Sequence, residues 1–221
     1  MSQLRTGDKY PTPRIVIVGV GGHGRELYGL LDAAGLPILG FVDDCLPIPE
    51  ILKRIGATYL GPVETLRHYL NEAQYLIGIG SGVTRERLAA QFPPAAIAGP
   101  VVHPMAALDL DVRMGTGSVI FAQATVTTNV AIGQHSHIGR GSAIGHDVEI
   151  GNFVTVMPLA SISGSVKIGD RATVGAGAVV RQGQTIGPDA FVGAGAVVVD
   201  DVPPGVVVVG NPARPIRHGP Q

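Results

Sequence analysis

The chain of 221 residues contains no tryptophan, a single cysteine, five phenylalanines and five tyrosines. So few rings exclude a core built mainly on aromatic bulk, and repetition has to replace size. Cys45 has no partner for an internal disulfide, which excludes a stapled secreted scaffold and predicts a reducing compartment, the cytoplasm. No surplus of either charge is present: 16 basic against 17 acidic residues give a net charge of −1, which argues against a nucleic-acid protein. No apolar run approaches the ~18–20 residues of a spanning helix, and Met1 to Arg14 lack the apolar stretch of a signal peptide. A soluble protein is expected, and its 45% hydrophobic content excludes disorder.

What the sequence has in abundance is glycine, 32 residues, about double the average usage. Stepping in sixes from Met114 through Ile120, Val126 and Ile132 to Val198 meets an aliphatic residue every time, with no insertion or deletion. The next residue is often glycine, as at 133, 139, 145 and 151, and the residue two before is usually small or valine. A unit with one inward aliphatic, a small neighbour and a glycine-permitted corner is a short strand plus a turn, and three units close a triangular coil. The second half is therefore predicted to be a parallel β-helix of about five coils, with residues 101–221 forming this module.

Residues 1–100 read differently. An apolar strand over Arg14–Val18 precedes Gly19-Val-Gly-Gly-His-Gly24 and a helix from Arg25 to Ala34; a second strand, Ile38–Val42, ends in Asp43-Asp44. A short helix is expected over Pro62–Leu70, a strand from Tyr75 to Ile79 ending at Gly80-Ser81-Gly82, and a helix from Val83 to Ala90. Alternating strands and helices predict a small Rossmann-like parallel α/β sheet with its crevice at the strand carboxyl ends. The boundary falls between Phe92 and Pro104, where proline punctuates the chain.

Gly19, Gly21 and Gly24 fit G-x-G-x-x-G between strand and helix, with Asp43 about 20 residues on. Its physical content is that backbone N–H groups at a helix start can approach an anion. A nucleotide-sugar diphosphate suits it as well as NAD, and a purely structural tight turn is the third reading. A dehydrogenase would need a second mononucleotide half that the short first module does not offer. His23 is either a phosphate or sugar contact or an exposed loop histidine. In the repeats, His146-Asp147 pairs a general base with a carboxylate able to fix its tautomer, and one coil later Gly164 offers an N–H for an oxyanion. A solvated corner is the bland alternative. His135 and His137 read as surface or interface packing; a zinc site with His146 is disfavoured because six-residue spacing puts 146 on another corner. Cys45, far from the repeats, reads as a buried small residue and not a nucleophile.

The stretches Ile-Val-Gly-Val-Gly-Gly-His-Gly at 17–24, Phe-Val-Asp-Asp at 41–44, Ile-Gly-Ile-Gly at 77–80, Val-His-Pro at 102–104, Ile-Gly-His-Asp at 144–147, Ile-Ser-Gly at 162–164 and Gly-Asn-Pro-Ala-Arg at 210–214 occur in order. Together they resemble the bacterial sugar acyltransferases of the left-handed β-helix superfamily, which include N-acetyltransferases of nucleotide-linked 4-amino sugars of the bacillosamine and perosamine type and O-acetyltransferases of sialic acid. The resemblance implies a left-handed coil, a homotrimer, and acetyl-CoA bound between neighbouring chains with no metal. It implies His146 as base, assisted by Asp147, with the Gly164 amide facing the thioester carbonyl and Ala176 and Ala194 along the pantetheine and adenine path. Gly22, His23, Gly24, Asp43 and Asp44, with Gly80 and Ser81, would hold the nucleotide-linked amino sugar. Thr155, expected with Gly164, Ala176 and Ala194 among the acetyl-CoA contacts, replaces a histidine common nine residues after the base, weakening any acyl-carbonyl contact there, and Gly139 replaces an asparagine often seen seven before it. The expected reaction is N-acetyl transfer from acetyl-CoA to a UDP- or GDP-linked 4-amino-4,6-dideoxy sugar. Sugar O-acetylation, a non-catalytic nucleotide-sugar-binding trimer and a γ-type carbonic anhydrase are the competing expectations. The tail from Val206 to Arg217 is expected either to cap the last coil or to touch CoA.

Overall fold

The computed structural model describes residues 13–216. Four parallel strands, β1 (Arg14–Val18), β2 (Ile38–Val42), β3 (Tyr59–Gly61) and β4 (Ala73–Ile77), form a sheet in the order β3-β2-β1-β4. Alternation along β1 sends Ile15 and Ile17 to one face and Val16 and Val18 to the other, so both faces are buried. Ile15 and Ile17 join Leu27, Leu30 and Leu31 of helix α1 (Gly22–Ala33). Val16 and Val18 pack with Leu66, Leu88 and Phe92, beneath helix α3 (Gly82–Ala89).

Several local expectations shift. Helix α1 begins at Gly22, so His23 and Gly24 belong to its first turn and not to a loop. The stretch expected as a short helix is a 3-10 helix over Val63–His68, and β4 ends at Ile77, two residues early. Helix α2 (Pro49–Ile55) and β3 carried too few periodic apolar positions to be foreseen. Cys45, expected buried, is exposed.

The chain leaves β4's flank at Ile97, which bridges Tyr75, and enters the first coil at Val101–Val102. The regular repeat therefore starts two steps before Met114, at Val102 and Leu108. From there the strands stack into sheets of eight, five and six members, parallel except for the last strand of the eight, and up to Val198 each strand pairs with the one eighteen residues on, as in Ala143↔Ser161 and Ile144↔Ile162. The sixfold aliphatic positions form one continuous interior, from Ile120 through Ile144 and Ile162 to Val198. This is the parallel β-helix the repeat predicts, left-handed as the resemblance implies. At the end, Val207–Val209 extends the eight-stranded sheet and Arg214–Pro215 folds back on it antiparallel, so this part of the tail closes the last coil; Arg217 lies outside the described residues.

The corners differ from the expectation. The glycines after the aliphatics do not supply left-handed backbone; every sixth residue from Asp111 to Gly195 does, two positions further on, and most of these are not glycine. Glycine after the aliphatic answers a different need, the close approach of coils: a Cβ on Gly145 would lie 2.6 Å from the Gly164 nitrogen, and one on Gly133 2.5 Å from Gly151. Three edges result. Asp111, Asn129, Asp147 and Ser165 mark the first, between the six- and five-stranded sheets; His135, Phe153, Arg171 and Asp189 the second, between the five- and eight-stranded; Gln123, Gly141, Leu159 and Gly177 the third.

Candidate active site

The first edge carries the His-Asp pair. His146 Nδ1 lies 2.7 Å from Asp147 Oδ2, both side chains about half exposed, and Asp147 Oδ1 accepts from Asn129 Nδ2 at 2.6 Å. The His146 bond first, then the Asn129 bond, hold the Asp147 carboxyl below its ordinary range. With Nδ1–H given to an ionised carboxylate, Nε2 keeps its lone pair for accepting a proton. The ring lies directly over Gly164: a Cβ there would stand 2.5 Å from both Cε1 and Nε2.

Gly164, Ala176 and Ala194 occupy one position in the repeat, two after the aliphatic, as His146 does. The coil-to-coil ladder uses the carbonyls here, for example His146 O accepting from Ser165 N at 2.8 Å. It leaves the N–H groups of Gly164, Ala176 and Ala194 without an acceptor among the described residues. At the equivalent Gln134 and Asn152 the N–H is taken by side chains, Asn152 Oδ1 at 2.9 Å and Asp170 Oδ1 at 2.7 Å. A backbone donor beside a poised imidazole is the arrangement that stabilises an oxyanion. Ala176 and Ala194, both exposed, lie instead beside the third edge, one coil apart.

The N-terminal module presents a second concavity. Gly24 is needed for packing, because a Cβ would run into the Gly19 carbonyl, and Gly19 itself has φ 104°. Gly21 and Gly22 are exposed with open space around them, and α1 has no side-chain cap, so its first N–H groups face outward. Val20, Gly21, Arg25, Asp43, Leu46 and Ile48 line a cleft of about 340 Å³. Asp43 is spoken for: it accepts from the N–H groups of Val20 and Cys45, each at 2.8 Å. Asp44 accepts from Val63 N at 2.9 Å at the start of the 3-10 helix, and the Ser81 hydroxyl caps α3 through Thr84 N at 3.3 Å. These side chains shape the crevice wall.

Where the module meets the β-helix, His23 Nε2 and His137 Nδ1 are 2.7 Å apart, the rings stacked at 5.0 Å. His23 is thus no exposed loop residue; burial, then Arg85 and Arg140, lower its pKa to about 4. His137 is fully buried and its pKa is held well below the ordinary value, by burial first and then by Arg85. The pair lines a cavity of about 110 Å³ with Gly80, Gly139, Arg140 and Thr155, next to the third edge. The Thr155 hydroxyl donates to Gly80 O at 2.7 Å and accepts from Arg85 at 3.0 Å. His135 is equally buried, stacked on Phe153 with rings 5.1 Å apart. Among the described residues no cluster of three or more His, Cys, Asp or Glu side chains could hold a metal ion.

Sequence reasoning missed Arg85 and Asn129. Arg85 is wholly buried with no carboxylate partner among the described residues; its guanidinium donates to the carbonyls of Ile79, Gly80, His135, Phe153 and Val154. Burial lowers its pKa to about 9, which leaves it charged near neutrality. In sequence it is one more arginine on a short polar helix, with nothing to set it apart. Asn129 was findable, since it stands one coil before Asp147.

Residues 14–92 match the PglD N-terminal domain model. Residues 147–182 match the bacterial transferase hexapeptide model and 165–200 the hexapeptide repeat of succinyl-transferase. Among solved structures, PerB from Caulobacter crescentus, in complex with CoA and GDP-perosamine, is 30% identical over 92% of this chain and 97% of its own, with a TM-score of 0.84. The acetyltransferase domain of PglB from Neisseria gonorrhoeae, in complex with acetyl coenzyme A, is 28% identical over 93% and 100%, with a TM-score of 0.85. WeeI from Acinetobacter baumannii is 30% identical over 92% and 99%, with a TM-score of 0.80. Comparison with curated protein sequences finds no match. With both modules matched in one order over nearly the whole chain, this protein belongs to the family of hexapeptide-repeat sugar acetyltransferases that carry a PglD N-terminal domain.

Proposed function

We propose that the protein transfers an acetyl group from acetyl-CoA to the amine of a nucleotide-linked 4-amino-4,6-dideoxy sugar. The observation that carries this reading is the His146–Asp147 pair stacked on Gly164, whose N–H has no acceptor among the described residues. The neutral sugar amine attacks the thioester carbonyl carbon while His146 Nε2 takes one amine proton; Gly164 N–H donates to the oxyanion of the tetrahedral intermediate. Collapse breaks the C–S bond, the thiolate leaves and is protonated, and the products are the acetamido sugar and CoA. No covalent enzyme intermediate is required.

Residues 1–100 hold the nucleotide-sugar, with Gly22, His23, Gly24, Asp43, Asp44, Gly80 and Ser81 forming or supporting its site. Residues 101–221 hold acetyl-CoA along Gly164, Ala176 and Ala194; Thr155, engaged with Gly80 and Arg85, supports the acceptor wall. The working form is a homotrimer in the cytoplasm. Support for the trimer comes from the distribution of parts: His146 and Gly164 are on the first edge, whereas the His23 cavity and the two alanines border the third. One chain alone keeps these apart, and setting the first edge of one copy against the third edge of the next unites them.

The test is acetyl-CoA turnover, read as free-thiol release, against UDP-, GDP- and dTDP-linked 4-amino sugars with matched hydroxyl sugars as controls. A strong response to one amino sugar is expected. Turnover with hydroxyl sugars only would make the enzyme an O-acetyltransferase, and silence alongside tight nucleotide-sugar binding would make it a binding protein.

A further inference from the structure

Both carboxylate oxygens of Asp147 are engaged, and by different coils. Oδ2 meets His146 Nδ1 at 2.7 Å and Oδ1 accepts from Asn129 Nδ2 at 2.6 Å. Asn129 stands one coil before Asp147 on the same edge, both with left-handed backbone at φ 55° and 59°. Its amide is itself oriented: Arg113 Nη2 donates to Asn129 Oδ1 at 3.3 Å, so a flipped amide would set N–H against N–H, and the guanidinium is anchored by Asp111 at 3.7 Å. A carboxylate that is half exposed turns freely about its last bond unless something holds it.

We infer that Asn129 is a positioning residue for acetyl transfer: it clamps Asp147 so that the carboxylate keeps the His146 proton on Nδ1 and leaves Nε2 bare above Gly164. The inference rests on the reading of His146 as the base. Asn129 acts through Asp147, and Arg113 acts through Asn129. The same bond favours the ionised carboxylate, which is the form that must face Nδ1–H.

Two variants of the full-length enzyme test this, assayed with acetyl-CoA and the panel acceptor that turns over fastest. Asn129→Gly removes the clamp and suits the left-handed backbone, whereas Asn129→Asp sets like charges against each other. For Asn129→Gly, kcat is expected to fall about 10- to 100-fold, the cost of a misplaced catalytic group, with both KM values and the melting temperature unchanged; Asn129→Asp falls further. Long-range 15N–1H spectra should show His146 protonated on Nδ1 in the parent and divided between tautomers in Asn129→Gly. Parental kcat in Asn129→Gly overturns the inference, as does a raised KM at constant kcat, which would make Asn129 a substrate contact. His146→Asn, run in parallel, separates the two claims: parental turnover there overturns the base assignment itself, whatever Asn129 does.

Discussion

His146 and Gly164 are coupled by contact, and that coupling can be separated from folding. Gly164 does not use left-handed backbone, so alanine suits its conformation, yet the methyl would enter the space of the His146 ring. The ring is half exposed and free to swing outward. Gly164→Ala should therefore melt within a few degrees of the parent and lose about 10² or more in kcat, the scale of a displaced general base. His146→Asn should lose ~10²–10⁴ in kcat while still binding acetyl-CoA. Calorimetry beside steady-state kinetics checks both; unchanged turnover in Gly164→Ala would show that the ring stands elsewhere during catalysis.

Between the elements, the junction of the two modules is built from unusual material. Among the described residues Arg85 bonds only to neutral oxygens, and the buried His135 and His137 and the part-buried His23 stand close enough to feel its charge. Burial and Arg85 lower the pKa of His135 to about 4, and that of His23 is about 4, against 6.5 when unfolded. Between those values the unfolded chain binds more protons than the folded one, so stability falls as pH drops from 6.5 toward 4. Asp147 and Asp189, both with lowered pKa, add their loss below that window. The melting temperature should decline steadily over the histidine window, and His135→Asn, which suits the φ of 53°, should flatten the decline. An unaltered acid limb in that variant would assign it to other groups.

The junction also shows what a sequence can reveal. The β-helix was legible because one physical demand, an aliphatic side chain pointing inward, returns at a fixed interval and is met each time. His146 over Gly164 was legible by the same arithmetic. The corner residues were misassigned because glycine serves two demands in this fold, and the sequence alone does not separate close coil approach from left-handed φ. Arg85 and the facing His23 and His137 were illegible because they are brought together across 50 to 114 residues by the docking of two modules, which leaves no periodic trace.

For the whole molecule, the proposed sharing of the site between chains predicts complementation. Gly21 precedes α1 in extended backbone with open space around it, so Gly21→Asp should fold as well as the parent and even cap the helix. Its carboxylate would repel a diphosphate at the helix start, and activity should be lost with acetyl-CoA binding retained. Co-expressed with His146→Asn, it should regain about a quarter of parental activity, the chance that random assembly pairs an intact cleft with a neighbour's intact base. Mixed trimers that stay inactive would place the whole site within one chain.

The eighteen-residue stacking interval has a consequence for how such an enzyme can change in length. Position around the prism and position along it are independent coordinates, like the angle and height on a screw. A whole coil duplicated beyond Gly164 lifts everything above it by one step and returns each side chain to its own edge, so the face proposed to carry the long cofactor can be extended without touching the chemistry. A single hexapeptide turns everything beyond it by one edge, and placed between His146 and Gly164 it would carry Gly164 out from beneath the ring. Gene segments encoding eighteen residues are therefore the natural unit of growth for this half of the molecule, and those encoding six are not.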